Sequence, residues 1–202
     1  MTKTSGTLYI VSTPIGNLQD ITYRGVGTLS AVSLIAAEDT RHSKKLLNHY
    51  GIKRPLISYY EHNRFTRIPQ IIAHLNDGKD VALISDAGTP GISDPAYKLT
   101  RAAITEDIKV ETIPGPSAAL AGLIASGLPS DRFLFEGFLP SKKGREKRLN
   151  ALKDEQATIV FYESPRRLKR TLMDIAEIIG DRPAVVAREL TKMNEEIIRG
   201  TV

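Results

Sequence analysis

Hydrophobic residues come in short blocks along this chain, and the stretches between them alternate in character. Blocks at 8–11, 33–37 and 81–84 are mostly Leu, Ile, Val and Ala, shorter apolar stretches lie within 56–59 and 109–113, and most stop abruptly at polar or turn-forming residues. Brief unbroken runs of this kind predict strands, and VALI at 81–84 one buried on both faces. Helical spacing fills the gaps. Ile68, Ile71, Ile72 and Leu75 share one helix face, and Asp77-Gly78 closes that helix. Further helices are predicted over 23–32, weakened by Gly25 and Gly27, and over 41–50, with Asp39 or Thr40 as cap. Another starts at Asp94-Pro95 and runs to 104. The last of this group, 118–126, carries alanines and Gly122 that permit close approach to a sheet.

Strands alternating with helices imply an open, mostly parallel α/β sheet. Three strands run into Pro/Gly loops: STPIGN at 12–17, SDAGTPGISDP at 85–95 and PGPS at 114–117. In a parallel sheet these loops share one edge, where α/β proteins place ligands. The middle loop is long for its kind, and long ordered loops in compact domains are often functional. None of the three is GxGxxG or GxxxxGK[ST], so the dinucleotide and P-loop fingerprints are absent.

SGLPSD at 126–131 reads as a linker, after which the pattern restarts. A strand at 133–138 leads into a basic loop at 140–148 and a short polar segment at 149–154 that can form a helix. A buried strand at 158–162 ends in Glu163, and Ser164-Pro165 caps a helix over 166–179 with Leu168, Leu172, Ile175, Ala176 and Ile179 inward. A strand at 184–187 ends in Arg188-Glu189, and 196–199 is expected to pair antiparallel. Two domains follow: 1–126, which bears the three loops, and 132–202, basic and substrate-facing.

Charge sharpens this division. The 202 residues carry a net charge of +5. Residues 132–170 hold eleven Lys and Arg against five Asp and Glu, so this segment supplies the whole excess. A basic excess confined to one segment suggests a polyanionic partner. No apolar run approaches the ~20 residues of a membrane span, and the first residues lack the apolar core of a signal peptide. There is no cysteine, and His42, His49, His62 and His74 form no metal signature. A cytoplasmic protein without metal or membrane partner is expected.

Several stretches carry a resemblance to a known family. STPIGNLQDIT (12–22), AAEDTRHS (36–43), LISDAGTPGISDPAY (83–97), IPGPSAAL (113–120), GLPSDRFLFEGFLP (127–140), FYESPRRL (161–168) and ARELTK (187–192) resemble the tetrapyrrole-methylase-fold S-adenosylmethionine enzymes. Within that fold they are most similar to the bacterial small-subunit rRNA 2′-O-ribose methyltransferases. The resemblance implies two α/β domains with S-adenosylmethionine in the cleft between them, no metal, 16S rRNA in the small ribosomal subunit as partner, and a homodimer. Tyr59, Tyr60 and Phe65 are the aromatics expected to lie exposed for pairing. Family members continue with a further core strand, so the chain reads as lacking the C-terminal end of the fold. By motif, Pro14, Gly16, Asp86, Ala87, Gly88, Thr89, Ser117 and Ala118 would line the cofactor, with Tyr162, Glu163, Glu189 and Leu190 approaching from the second domain.

Methyl transfer to a ribose hydroxyl needs an oxygen held in line with the donor methyl and a group that eases loss of its proton. Asp39, Glu163 and Glu189 are the candidate catalytic carboxylates, and Glu38 is a further polar strand end. Asp39 reads equally as a helix cap, and Glu163 and Glu189 as partners of nearby arginines. Arg41, Lys142, Lys143, Arg145, Arg166 and Arg167 are the candidate RNA contacts. Arg166 and Arg167 sit in a first helical turn, where the dipole disfavours cations unless an anion compensates. Two other readings stay open: a methylase of a small tetrapyrrole-like ring, and a nucleic-acid-binding module without catalysis.

Overall fold

The structure, a computed structural model, describes residues 5–202. It divides into two compact units, one ending at Ser117 and the other running from Ala118 to Val202. The division falls before the helix at 118–126, which was expected in the first domain. That helix packs its inner face against strands of the second unit.

The first unit is a five-stranded parallel sheet in the order β3-β2-β4-β1-β5. Its strands are β1 (Leu8–Val11), β2 (Leu34–Ala37), β3 (Leu56–Ser58), β4 (Val81–Ile84) and β5 (Val110–Ile113). The helices between them are α1 (Tyr23–Ala31), α2 (Thr40–His49), α3 (Arg64–Asn76) and α4 (Ala96–Thr105). Right-handed crossovers decide which face each helix covers. The chain steps one way through α1 and α2 and back through α3 and α4, so the pairs lie on opposite faces. The side chains agree. Leu8, Ile10, Ala36, Val81 and Leu83 pack with Ile71 and Leu75 of α3 and Leu99 and Ala103 of α4. Val11, Ile35, Ala37, Ala82 and Ile84 pack with Leu29 of α1 and Leu46 and Leu47 of α2. β4 is central and buried at every position, as its unbroken apolar run predicts. Burial of each of its Val, Leu and Ile side chains contributes roughly 1.5–3 kcal/mol.

Two expectations are corrected here. α3 begins at Arg64, four residues before the apolar face starts, with Pro69 inside it. Tyr59 is not an exposed aromatic. It is 2% exposed in the first core, burial pushes its phenol up to about 12, and its hydroxyl donates to the Pro95 carbonyl at 3.2 Å.

The second unit carries α5 (Ala118–Ser126), β6 (Phe133–Phe138), α6 (Arg145–Ala151), β7 (Thr158–Tyr162), α7 (Pro165–Ile178), β8 (Pro183–Arg188) and β9 (Glu196–Thr201). β6 and β7 pair in parallel, and β8 and β9 antiparallel. The predicted basic loop is half helix, because α6 starts at Arg145 after Gly144 at φ +85°. Arg145 and Leu149, one turn apart, are its buried residues. Leu149 joins Leu139 and Ile175 in a small apolar core.

Candidate functional site

β4, β1 and β5 are neighbours, so loops 85–95, 12–17 and 114–117 emerge side by side at the carboxyl edge of the first sheet. They are bonded together. The Thr13 N–H donates to the Gly88 carbonyl at 2.9 Å, and the Gly88 N–H returns to Thr13 at 3.0 Å. The Thr13 hydroxyl donates to the Ser85 carbonyl at 3.1 Å. Ser12 and Thr89 share a hydroxyl–hydroxyl bond of 2.9 Å, and Thr89 donates onward to the Pro116 carbonyl at 3.2 Å. Two glycines make this closeness possible. Gly88 sits at φ +79°, where a side chain is strained, and a Cβ on Gly115 would come within 2.9 Å of the Ser12 Cβ.

Carboxylates gather at the same edge. Asp86 Oδ1 accepts the Asp39 N–H at 2.9 Å, tying the end of β4 to the end of β2. Asp39 caps α2 by accepting the Arg41 N–H at 2.8 Å, and it pairs with the exposed Arg41 guanidinium at 3.2 Å. The side-chain and backbone bonds from Arg41 hold its carboxyl below the usual range. Asp94 accepts the N–H groups of Gly91 at 2.8 Å and Ala96 at 2.7 Å, but α4 starts one residue later than expected, at Ala96 with Pro95 in the cap position. Glu38 differs. Desolvation of its carboxyl and the charges of Asp86 and Asp94 push its pKa up, and a bond from the Asp86 amide offsets this only in part. Loops 12–17, 85–95 and 114–117 contain no Lys or Arg, so these three loops are net negative. Pro14, Gly16, Asp86, Ala87, Gly88, Thr89 and Ser117 all lie on it, and Ala118 opens α5 in the second unit.

The other predicted residues belong to the second unit. The Tyr162 hydroxyl accepts the Ala119 N–H at 3.2 Å, and its ring stands between Phe135 and Phe138, with centroids 5.0 and 5.6 Å away. Burial raises its pKa. Glu163 is a clasp. Its Oε1 accepts the Ser164 N–H and Arg167 Nε, both at 2.7 Å, and its Oε2 accepts the Thr171 hydroxyl at 2.6 Å. Burial alone would raise its pKa, but these donors overcome that and hold it at about 2. A carboxylate so occupied is a poor base, which corrects the catalytic expectation for Glu163. Arg145 is also corrected. At 6% exposure it faces inward, with Nε 2.6 Å from Asp174, Nη2 donating to Thr171 at 2.7 Å and Nη1 donating to the Pro140 carbonyl at 3.2 Å. Arg167 donates to the Leu139 carbonyl at 3.0 Å besides Glu163. Lys142, Lys143 and Arg166 are exposed, as is Lys147. Glu189 is exposed at φ 52° and pairs with Lys192 at 3.1 Å, while Leu190 rests over Gly122 of α5.

Residues 7–202 match the family model of the Tetrapyrrole (Corrin/Porphyrin) Methylases. The chain belongs to the tetrapyrrole methylases. A relative from Halalkalibacterium halodurans, named ribosomal RNA small subunit methyltransferase I, is 54% identical over 98% of this chain and 68% of its own length. One of the same name from Thermotoga maritima is 53% identical over 98% of this chain and 89% of its own. Among solved structures, cobalt precorrin-4 methyltransferase superposes with a TM-score of 0.72 at 19% identity, over 96% of this chain and 85% of that one. Diphthine synthase gives 0.74 at 15%, over 96% and 81%. At that identity the two show the fold.

This tetrapyrrole methylase is a methyltransferase that uses S-adenosylmethionine. The loop edge suits such a cofactor. Its sulfonium and ammonium are cationic, and the edge offers carboxylates without a competing Lys or Arg in the loops. The sequence reading missed the bonds made by Ser12, Thr13 and Ser85. A hydroxyl residue directly after a buried strand was the available signal.

Proposed function

We propose that this tetrapyrrole methylase methylates the 2′-hydroxyl of a cytidine in the decoding centre of 16S rRNA. The observation that carries the reading is identity of 50–56% to relatives named ribosomal RNA small subunit methyltransferase I, spread over nearly the whole chain. The ribose and the cytidine follow from the motif resemblance. Exposed Lys142, Lys143, Lys147, Arg166, Lys169 and Arg170 in the second unit favour a polyanion over a small ring. S-adenosylmethionine supplies a methyl group already activated as a sulfonium. The chain's part is to position and to manage charge and proton. Pro14, Gly16, Asp86 to Thr89 and Ser117 hold the cofactor, Asp86 by opposing its positive charge. Tyr162, Glu189 and Leu190 are cofactor candidates in the second unit by motif resemblance alone. Glu38, exposed at the end of β2 beside the charges of Asp86 and Asp94, is the proton acceptor at the loop edge, since the oxygens of Asp39 already serve α2 and Arg41.

Small ribosomal subunits lacking the modification, incubated with labelled S-adenosylmethionine and this chain, test the reading. The expected product carries label at one cytidine and resists alkaline cleavage there, since a 2′-O-methyl group blocks strand scission. Label on a base, or transfer only to a tetrapyrrole, overturns it.

A further inference from the structure

The carboxyl edge of the first sheet extends past the three loops to a second patch. It lies in the turn after β3 and the first turns of α3 and α4. Three rings are exposed there: Tyr60 at 41%, Phe65 at 77% and Tyr97 at 56%. Cations are set against two of them. The Arg64 guanidinium lies 4.4 Å from the Phe65 ring centre, and the Lys98 ammonium 5.7 Å from that of Tyr97. One carboxylate joins both halves, because Glu61 pairs with Arg64 and reaches Lys98 at 2.7 Å. Two cations therefore share one anion, and exposed Arg101 stands one turn beyond Tyr97 on α4. Beneath the patch, the buried Tyr59 hydroxyl bonds the Pro95 carbonyl at the end of loop 85–95. This bond ties the residue before Tyr60 to the end of the loop that carries Asp86 and Gly88.

We propose that Tyr60, Phe65 and Tyr97 form a stacking platform for unpaired bases of an RNA substrate, with Arg64, Lys98 and Arg101 drawing its phosphates. The inference rests on the rRNA reading above and names the surface in the first unit that holds the strand. Ring faces interleaved with cations match a nucleotide strand, whose bases stack on aromatics while its phosphates seek positive charge. An apolar protein partner fits poorly, because it would have to desolvate Glu61, Arg64 and Lys98 together. Unpaired RNA is the suitable form, since a duplex keeps its base faces stacked internally.

The test uses a short single-stranded oligoribonucleotide carrying 2-aminopurine, whose fluorescence is quenched when the base stacks. Wild-type protein is expected to quench it, and Tyr60→Ala, Phe65→Ala and Tyr97→Ala each to weaken binding about tenfold with loss of quenching. Phe65→Tyr, which keeps a ring, is expected to bind as wild type. Affinity for S-adenosylmethionine, read by calorimetry, should stay unchanged in all four, showing that each is folded. A parallel arm replaces Lys142, Lys143 and Lys147 with alanine. If that arm loses RNA affinity while the alanine ring variants bind and quench normally, the platform is wrong and the rRNA reading stands. If wild-type protein binds neither this probe nor small ribosomal subunits, the rRNA reading fails and takes the platform with it. If the ring variants lose only self-association, seen by sedimentation, the patch is a contact between copies and the proposal is overturned.

Discussion

Asp86 holds the Asp39 amide at 2.9 Å, so deleting its carboxylate tests two things together. Asparagine separates them, because its carbonyl still accepts that N–H while the charge is gone. Asp86→Ala is expected to lose about 1–2 kcal/mol of stability by orphaning the amide, and Asp86→Asn almost none. Both should weaken S-adenosylmethionine binding. If Asp86→Asn binds the cofactor as wild type in a calorimetric titration, Asp86 is only a strand-end clasp. Gly115 offers a purely steric counterpart. A Cβ there would stand 2.9 Å from the Ser12 Cβ, so one loop must move. Gly115→Ala should cost roughly 1–3 kcal/mol in thermal or denaturant unfolding. It should also weaken cofactor affinity, since Ser12 bonds Thr89 and Thr89 bonds Pro116.

Among the elements, α6 and α7 are joined by a polar chain and not only by the small core of Leu139, Leu149 and Ile175. Arg145 donates to Thr171, Thr171 donates to Glu163, and Arg167 links Glu163 to the Leu139 carbonyl. Thr171→Val keeps the shape and removes the central hydroxyl, leaving two buried charged groups short of a partner. A loss of about 2–3 kcal/mol is expected in urea unfolding. The same chain sets an acid limit. Glu163 titrates at about 2 in the folded chain against 4.5 in the unfolded one, so the unfolded state binds its proton first. Its contribution, of order 3 kcal/mol, is complete above pH 4.5 and lost as pH falls toward 2. Glu163→Gln should flatten that part of the stability–pH curve, and an unchanged slope would show the carboxylate is not the titrating group. This network also marks where pattern reading stopped. The helix over 118–126 and the strand over 81–84 were legible because apolar residues outline them. α6 was not, since its buried face consists of Arg145 and Leu149, and an inward arginine looks like surface in a sequence. α3 was legible only from Ile68 because Arg64 to Arg67 show no apolar spacing and Pro69 reads as a breaker.

For the molecule as a whole, the parallel sheet of the first unit and its loop edge were legible from the alternation of strands and helices, whereas the strand order was not, because short strands of similar composition do not name their neighbours. Charge was legible in amount but not in direction. Of the cations in 140–170, Arg145 points inward and Arg167 is committed to Glu163, while Lys142, Lys143 and Lys147 are exposed. A substitution set meant to probe RNA must therefore spare Arg145, whose loss would unbalance a buried network. Replacing Lys142, Lys143 and Lys147 with alanine should leave folding and cofactor affinity alone. Each neutralised phosphate of a single strand contributes about 0.7 to the slope of log affinity against log salt. The triple variant should then bind small-subunit RNA more weakly and with a slope flatter by about two. Fluorescence anisotropy over a salt series reads both quantities. A variant that keeps the wild-type slope would mean that these lysines touch no phosphate, and the strand would have to be held by Arg166, Lys169 and Arg170 on α7 instead.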